Sequence, residues 1–393
     1  MRLPAAAWRD RVDLLHLPAN AAPARCPVPF VVTVHDLIPL TLEGELSRDR
    51  RRAFLRGLER ALSGAQQVIS PSRTTCDELH RKFKVDRNRL TVIPWAADRV
   101  IAESAGGVAP TEGSMTPPAG LGADSVASAP RGGRRVAKDL RILRPPQEAD
   151  ATFPGLHSTR QDGHAPPRSL APAARAAIAR VRERYGLDKS WLLNFSGPSR
   201  RKNATGLIDA FARVPSNVRR DVQLVLVWCE PASFREELEA RCQRLGVRSA
   251  CRVFGFVPHE DLPGLLSGAR GLVMPSLCEG FGLPILVAFA CRTPVLTSDL
   301  SSMPEVAGDA AVYCDPRDAA SIAEGIVRLL EPATGERLRR AGADRLRLFS
   351  WEQTARMMCD VYERCVPATT RRVAATSAAI AGASEVHTVN TGE

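Results

Sequence analysis

The feature that most constrains the fold of this chain is a repeated alternation of short apolar runs with longer amphipathic segments. In the second half, apolar runs at residues 191–195, 222–228 and 271–275 are each followed by a segment with apolar residues at helical spacing. This pattern is typical of a parallel sheet whose two faces are covered by helices. It predicts a complete doubly wound α/β domain, followed by two further helices at residues 335–349 and 350–365.

The same alternation runs through the first hundred residues, but over fewer units. Four short apolar runs predict the strands of a parallel sheet, at residues 12–17, 30–36, 66–70 and 89–95. Two helices are expected between them, over residues 48–65 and, opened by Ser72, over residues 71–83. The first of these helices is amphipathic, because its apolar residues fall on one face: Phe54, Leu55, Leu58, Ala61 and Leu62. The chain therefore predicts two α/β units with a crevice between them.

Between these two units the pattern disappears. Residues 101–171 are dominated by Gly, Pro, Ala, Ser and Arg without an apolar period, so we expect a disordered linker or insertion there. Residues 367–393 are small and polar, which predicts a disordered tail. The chain is thus divided into a partial first domain at residues 1–100, a second domain at residues 172–348 and a closing helix at residues 349–366.

The formal net charge of +11 raises the question of nucleic-acid binding. The arginines are scattered, however, and no basic run is interleaved with aromatic residues, so we expect no nucleic-acid partner. A basic nucleic-acid binder stays open only as the weakest alternative. A basic surface serves equally well for contact with an anionic membrane or for a phosphorylated substrate.

Ten cysteines are present, and none pairs at CxxC spacing. Several lie in apolar runs, which predicts buried free thiols in a reducing compartment: Cys229, Cys251, Cys291 and Cys314. The sequence has neither an apolar signal core nor a run of the ~20 apolar residues that a membrane span needs. These observations predict a cytoplasmic protein, with peripheral contact at the inner membrane face left open.

Two loops of the second domain follow predicted strands and lead into predicted helices, which is where doubly wound sheets bind ligands. The first loop reads FSGPSRRKNATG, and Gly197 allows its backbone to turn sharply. Arg200, Arg201 and Lys202 supply positive charge, and Asn203, or Thr205 if the helix starts later, is expected to cap the next helix. Cations beside a helix N-terminus favour a phosphate or diphosphate, although a solvated basic turn has the same pattern.

The second loop, PSLCEGFGLP, carries Glu279 on a turn that contains Gly280 and Gly282, and Leu283 begins the helix that follows. The glycines allow close backbone approach, and the carboxylate can accept hydrogen bonds from ligand hydroxyls. Positive charge on one loop and a hydroxyl-binding carboxylate on its neighbour together predict a nucleotide-sugar site.

In the first unit, His35 and Asp36 stand at the carboxyl end of a predicted strand, facing the same crevice. A single histidine is often structural, but ligands bind at strand ends, so both interpretations stay open. Other motifs are absent: no GxGxxG follows a strand, no GxxxxGK[ST] occurs, and no Asp-x-Asp is present to hold Mg²⁺ on a nucleotide. Neither a dinucleotide site nor a metal site is expected.

Taken together, these motifs resemble the signature of glycosyltransferase family 4. The resemblance is carried by FSGPSRRKN, by PSLCEGFGLP and by residues 293–318, and VVTVHDLIPL and FSWEQTA fit the same family. It covers most of the chain outside residues 101–171 and the tail. The segment HDLIPL most resembles the bacterial mannosyltransferases of O-antigen and exopolysaccharide assembly.

The resemblance implies a GT-B fold, in which two Rossmann-like doubly wound domains face a crevice. The first domain would lie on the acceptor side and be incomplete, and the second would bind a nucleotide sugar. The implied activity is metal-independent transfer of a hexose with retention, and mannose is the best candidate for the sugar. No cofactor is implied, GDP-mannose is the expected donor, and the acceptor would be a glycan or a polyprenyl-linked glycan.

The resemblance also implies roles for individual residues. The catalytic residues would be His35 and Glu279. His35 would lie beside the reacting sugar, and Glu279 would bind the sugar hydroxyls. Arg201 and Lys202 would hold the diphosphate and offset charge on the leaving group. The donor-binding residues, from both loops, would be Gly197, Arg201, Lys202, Asn203, Glu279, Gly280, Phe281, Gly282 and Leu283.

Several positions depart from the family pattern. Val287 stands where the family has a second glutamate that contacts the ribose, and Arg292 stands where it has a turn glycine. Pro94 and Trp95 replace an Asn-Gly pair. Family members also begin with further βα units and a glycine-rich loop, so the first domain is expected to lack its N-terminal units. These departures motivate an alternative, a non-catalytic GT-B remnant or subunit that binds a nucleotide or a partner chain without turnover.

Overall fold

A computed structural model of the chain describes residues 2–97 and 172–366. Through Cys365, these two ranges belong to one compact unit. The linker predicted at residues 101–171 and the tail predicted at residues 367–393 lie outside the described residues.

The first domain is built on a four-stranded parallel sheet with the strand order β1-β2-β3-β4. Because each crossover steps to the next strand in the same direction, the helices between the strands share one face of the sheet. The strands are β1 (Leu15–Leu17), β2 (Phe30–Thr33), β3 (Gln67–Ser70) and β4 (Leu90–Val92), and the helices are α1 (Arg2–Arg9), α2 (Ile38–Thr41), α3 (Arg48–Gly64) and α4 (Arg73–Phe83).

The two long helices of this domain begin where the sequence places a capping serine. The Ser72 hydroxyl accepts from the backbone N–H of Thr75, as predicted, and the Ser47 hydroxyl caps α3 in the same way. Of the predicted apolar face of α3, Leu58, Ala61 and Leu62 are buried, while Phe54 and Leu55 are half-buried.

The second domain is built on a six-stranded parallel sheet with the strand order β10-β9-β8-β5-β6-β7. The order reverses between β5 and β8, so the chain leaves these two neighbouring strands in opposite directions. Two parallel sheets with helical crossovers confirm the predicted fold class. The strands are β5 (Ser190–Phe195), β6 (Val222–Val227), β7 (Cys251–Val253), β8 (Gly271–Met274), β9 (Val295–Ser298) and β10 (Ala311–Cys314).

The helices of the second domain cover both faces of its sheet, and their apolar sides form two buried clusters. The first helix is followed directly by Gly186, whose φ of +59° is the left-handed conformation expected of a closing glycine. The helices are α5 (Pro172–Tyr185), α6 (Ala204–Arg213), α7 (Ser216–Arg219), α8 (Ala232–Arg244), α9 (Leu262–Ser267), α10 (Leu283–Ala290), α11 (Met303–Ala307), α12 (Ala319–Leu330), α13 (Pro332–Leu346) and α14 (Trp351–Cys365).

The last of these helices, α14, covers the open face of the first sheet. Val361 and Cys365 pack against Val31 and Ile69 of β2 and β3. The docking is fixed by hydrogen bonds as well: the Thr354 hydroxyl donates to the carbonyl of Pro94 over 2.7 Å. The helix expected to close the chain therefore belongs, by its packing, to the first domain.

One polar contact within this interface is half-buried. The His16 ring lies 2.7 Å from the Tyr362 hydroxyl through Nδ1 and 2.8 Å from the Thr33 hydroxyl through Nε2. Burial, and to a smaller degree the neighbouring His35, lowers the pKa of His16. The ring is therefore held neutral between β1 and α14, where both nitrogens are hydrogen-bonded.

None of the ten cysteines, all within the described ranges, forms a disulfide, and Cys229, Cys251, Cys291 and Cys314 are buried, as predicted. Arg292, at the predicted turn position after α10, has a φ of +56°. Within residues 2–97 and 172–366, no helix is both long enough and apolar enough to cross a membrane.

Candidate functional site

The candidate site lies at the reversal of strand order in the second sheet, where a crevice opens between diverging loops. The basic loop, residues 196–203, follows β5, and the glycine turn, residues 275–282, follows β8. Because β5 and β8 are hydrogen-bonded neighbours, their carboxyl ends bring the two loops together. The carbonyl of Arg201 also accepts from the backbone N–H of Leu277 over 2.7 Å, which ties one loop to the other.

Glu279 is the centre of the site, and the residue is 8% exposed. One oxygen, Oε1, lies 2.9 Å from Lys202 Nζ and accepts from the Ser276 hydroxyl over 2.9 Å. The other, Oε2, accepts from the Arg201 guanidinium. Three residues predicted from two separate motifs thus meet, but the cations face the carboxylate itself. Within this cluster of three side chains, two cations face one anion.

The main chain of Glu279 is held as firmly as its side chain. The Ser301 hydroxyl donates to the carbonyl of Glu279 over 2.6 Å and accepts from its N–H over 3.3 Å. The Ser302 hydroxyl donates to the same carbonyl over 2.9 Å. Sequence reasoning did not single out these serines, because nothing in their local pattern points to a contact across 22 residues.

Within the basic loop, Gly197 has a φ of +118°, which supports the sharp turn predicted there. The predicted capping role of Asn203 is wrong: it stands before α6 but makes no side-chain cap. Its φ is +55°, and its amide Nδ2 donates to the carbonyls of Pro275, at 3.1 Å, and Pro316, at 2.7 Å. Asn203 therefore joins three loops, because its amide reaches carbonyls in the loops after β8 and β10.

Replacing Asn203 with alanine is expected to lower the free energy of unfolding by about 2–4 kcal/mol, because two hydrogen bonds are lost at a left-handed backbone position. Urea unfolding measures the change. Asn203→Gly is the matched variant, since glycine adopts the positive φ without strain and loses only the hydrogen bonds. A glycine variant no more stable than the alanine variant would show that backbone strain contributes nothing.

The first domain contributes His35, just beyond β2. Its Nε2 lies 2.7 Å from the carbonyl of Pro18, and because a carbonyl only accepts, Nε2 carries the proton. Its Nδ1 is buried without a hydrogen-bond partner among the described residues. The ring centroid lies 5.3 Å from that of Trp95. His35 therefore lines the crevice, with its Nδ1 buried from solvent.

Two carboxylates of the first domain also line the crevice, Asp36 and Glu45. Burial raises the pKa of Asp36, although a backbone hydrogen bond from Ile38 opposes the shift. Glu45 lies 2.7 Å from the Ser199 hydroxyl and accepts from the backbone N–H of Arg201 over 3.1 Å. Sequence reasoning missed Glu45, since a carboxylate in an irregular segment carries no pattern.

The two domains meet most closely at Gly280. A Cβ at this position would lie 2.5 Å from the carbonyl oxygen of His35 and 2.8 Å from Cβ of Asp36. Only glycine fits here without displacing the backbone. At the next position Phe281 is buried, and its ring centroid lies 5.6 Å from that of Trp95. The glycine turn thus forms one wall of the crevice against the first domain.

These residues enclose a cavity of about 340 Å³. Of the residues predicted to form the site, seven line it, namely His35, Arg201, Glu279, Gly280, Phe281, Gly282 and Leu283. Lys202 reaches the site through Glu279, whereas Gly197 and Asn203 shape the basic loop behind it. In the part of the chain that the structure describes, no group of three or more His, Cys, Asp or Glu residues could hold a metal ion.

Comparison with known proteins gives matches over both domains. Residues 1–99 match the family model described as Glycosyltransferase Family 4, and residues 180–345 match that described as Glycosyl transferases group 1. Among curated proteins, the chain is similar to the O-antigen chain mannosyltransferase B of Escherichia coli. The two are 33% identical over 195 residues, which is 49% of this chain and 51% of the relative. The chain thus spans about half the length of that relative.

Solved structures share the two-domain architecture. A glycosyltransferase from Rickettsia africae superposes with a TM-score of 0.61 and 14% identity, covering 93% of this chain and 80% of that one. Anabaena HepE, solved in complex with UDP and glucose, gives a TM-score of 0.56 and 18% identity, covering 86% of this chain and 71% of that one. Likeness at this level of identity shows the fold.

Proposed function

We propose that this chain, a GT-B protein that carries a family 4 and a group 1 glycosyltransferase domain, transfers a hexose from a nucleotide diphosphate sugar. The observation that carries the proposal is the cluster of Glu279 with Arg201 and Lys202 at the reversal of strand order. It combines cations suited to a diphosphate with a carboxylate suited to sugar hydroxyls, on loops of neighbouring strands.

Arg201 and Lys202 bind the diphosphate in this proposal. Their side chains are 25% and 14% exposed, so their charges act in a partly desolvated crevice where electrostatic attraction is stronger than in water. As the bond between the sugar and the diphosphate breaks, negative charge grows on the leaving phosphate, and both cations stabilise it. Transfer without a metal ion is part of the proposal for this reason.

Glu279 and His35 hold the sugar. The carboxylate of Glu279 accepts hydrogen bonds from sugar hydroxyls once the phosphate draws the cations toward itself. On the opposite wall, His35 lies beside the reacting sugar. The two residues on facing walls orient the ring for attack by the acceptor hydroxyl, and we propose retention at the transferred carbon, as the family resemblance implies.

We propose mannose as the sugar and GDP-mannose as the donor, because the Escherichia coli relative is an O-antigen chain mannosyltransferase. A nucleotide-sugar donor is also in keeping with HepE, which was solved with UDP and glucose. The acceptor we propose is a glycan or a polyprenyl-linked glycan, approached from the side of the first domain, with peripheral contact to an anionic membrane.

A second candidate function is binding of a nucleotide or a partner chain without turnover. It is favoured by Val287, which lies in the apolar cluster on α10 where the family has its second glutamate. The ribose then lacks a carboxylate partner at this position. This candidate predicts weak nucleotide binding and no sugar transfer.

The test is to incubate the full chain with GDP- and UDP-sugars and a polyprenyl diphosphate-linked glycan, and to follow transfer by mass spectrometry and donor binding by calorimetry. Transfer from GDP-mannose is the expected result. Absence of binding to every donor would refute the proposal, and binding without transfer would support the second candidate.

The matched variants remove equal charge inside and outside the crevice. Arg201→Gln is expected to weaken GDP binding about ten- to a hundredfold, since a hydrogen bond to a charged group contributes about 1.5–3 kcal/mol. Arg252→Gln, on β7 and away from the crevice, is expected to leave the affinity unchanged. Equal losses in both variants would mean that GDP responds only to the overall charge.

A further inference from the structure

Glu279 is connected to the first domain through Ser301. Ser301 has a φ of +58°, a left-handed conformation that is unfavourable for a residue with a side chain. Such a backbone persists only where its surroundings hold it. Here the Ser301 hydroxyl binds both the carbonyl and the N–H of Glu279. The position of Ser301 and the position of the Glu279 peptide are therefore fixed together.

The other side of Ser301 is held by the first domain. Its carbonyl accepts from the hydroxyl of Thr74, in the first turn of α4, over 3.2 Å. A single side chain of the first domain thus reaches a strained residue of the second domain, and that residue holds the peptide of Glu279.

Glu305 of α11 holds the N-terminus of α4 beside Ser301. Its carboxylate accepts from the N–H of Arg73 over 2.7 Å and 2.9 Å and from the N–H of Thr74 over 3.2 Å. These are among the amides that a helix N-terminus leaves unpaired, and a negative charge there is favourable. The start of α4 is consequently docked on the second domain, with the Thr74 hydroxyl directed at Ser301.

We infer that Thr74 and Ser301 are positioning residues for Glu279, so that docking of α4 on α11 sets the carboxylate of the candidate site. The inference rests on the proposed function, because the position of Glu279 matters only if this carboxylate orients the sugar. It adds to that function a physical route by which contact between the domains governs the geometry of the donor site.

The test compares Thr74→Val with Thr74→Ser in the full chain. Valine keeps the shape of threonine but removes the donor, whereas serine keeps the hydroxyl. Hydrogen exchange of the Glu279 amide is measured by mass spectrometry of a peptide covering residues 275–282. Valine is expected to speed exchange about fivefold, as the loss of one neutral hydrogen bond implies, and serine is expected to leave it unchanged.

Thr75→Val is the control for damage to α4 itself, because the Thr75 hydroxyl accepts from Ser72 within the same helical turn. Unchanged exchange in Thr74→Val, or equal acceleration in Thr75→Val or Thr74→Ser, would overturn the inference.

Activity gives an independent readout. Thr74→Val is expected to lower kcat about fivefold and to leave GDP affinity unchanged, with no further loss in a Glu279→Gln background. A full further loss in that background would also overturn the inference. If the wild-type chain transfers no sugar, the proposed function fails, and the exchange comparison still decides whether Thr74 positions Glu279.

Discussion

Glu279→Gln is expected to lower the rate of sugar transfer about a hundredfold while GDP binding is kept or strengthened. The rate falls because the variant loses a buried charged group aimed at the transferred sugar. GDP binding persists because Arg201 and Lys202 no longer have the carboxylate between them and are free for the phosphates. Steady-state transfer from GDP-mannose and calorimetry with GDP measure the two effects separately.

The control is Glu239→Gln on α8, where the carboxylate pairs with Arg248 away from the crevice, at 3.1 Å. It is expected to change neither rate nor GDP affinity. Transfer by Glu279→Gln within tenfold of the wild-type rate would contradict the role given to this carboxylate. Parallel loss of rate and GDP binding would mean instead that Glu279 supports the two loops as a structural ion pair.

Gly280→Ala is expected to lower the transfer rate by a similar factor, about a hundredfold, through a steric effect. The new methyl group would meet the carbonyl oxygen of His35 at 2.5 Å and Cβ of Asp36 at 2.8 Å. Neither atom can rotate away, so the walls of the crevice must separate. A displacement of about 1 Å between reacting groups can reduce turnover by roughly that factor.

In Gly280→Ala, the clash is relieved when the walls of the crevice separate. The free energy of unfolding should therefore fall by no more than the 1–3 kcal/mol that is typical of overpacking. Activity assays and urea unfolding test the two parts. Gly335→Ala on α13 is the control, because its methyl group would meet Arg339 at an ordinary 3.5 Å. If Gly280→Ala transfers sugar at the wild-type rate, the crevice does not depend on this contact.

Every strand of both sheets coincides with a short, mostly apolar run of the sequence, although β1 and β4 are only half-buried. The long helices were equally visible from their periodicity. The short helices α2 and α11 could not be predicted from the sequence. Four or five residues are little more than one helical turn, which is too short to show a 3.6-residue period. Their positions depend on contacts with distant parts of the chain, such as those of Glu305 with α4.

For the site, the sequence was informative wherever a residue follows a strand. Topology brings the carboxyl ends of β5 and β8 together, so the meeting of Arg201, Lys202 and Glu279 was predictable. The groups that these three side chains contact could not be predicted, because side-chain pairing depends on loop geometry. For the same reason Asn203 was assigned a cap that it does not form, and Glu45 and Ser301 gave no signal at all.

The position of α14 bears on how the polypeptide can reach its native state during synthesis. One face of the first sheet, lined by Val31 and Ile69, is covered by residues encoded more than 280 positions later. Until the ribosome has released α14, this apolar face lacks its native cover, and the nascent first domain is exposed to association with other chains. A fragment that ends before α14 would therefore leave this apolar face of the first sheet uncovered.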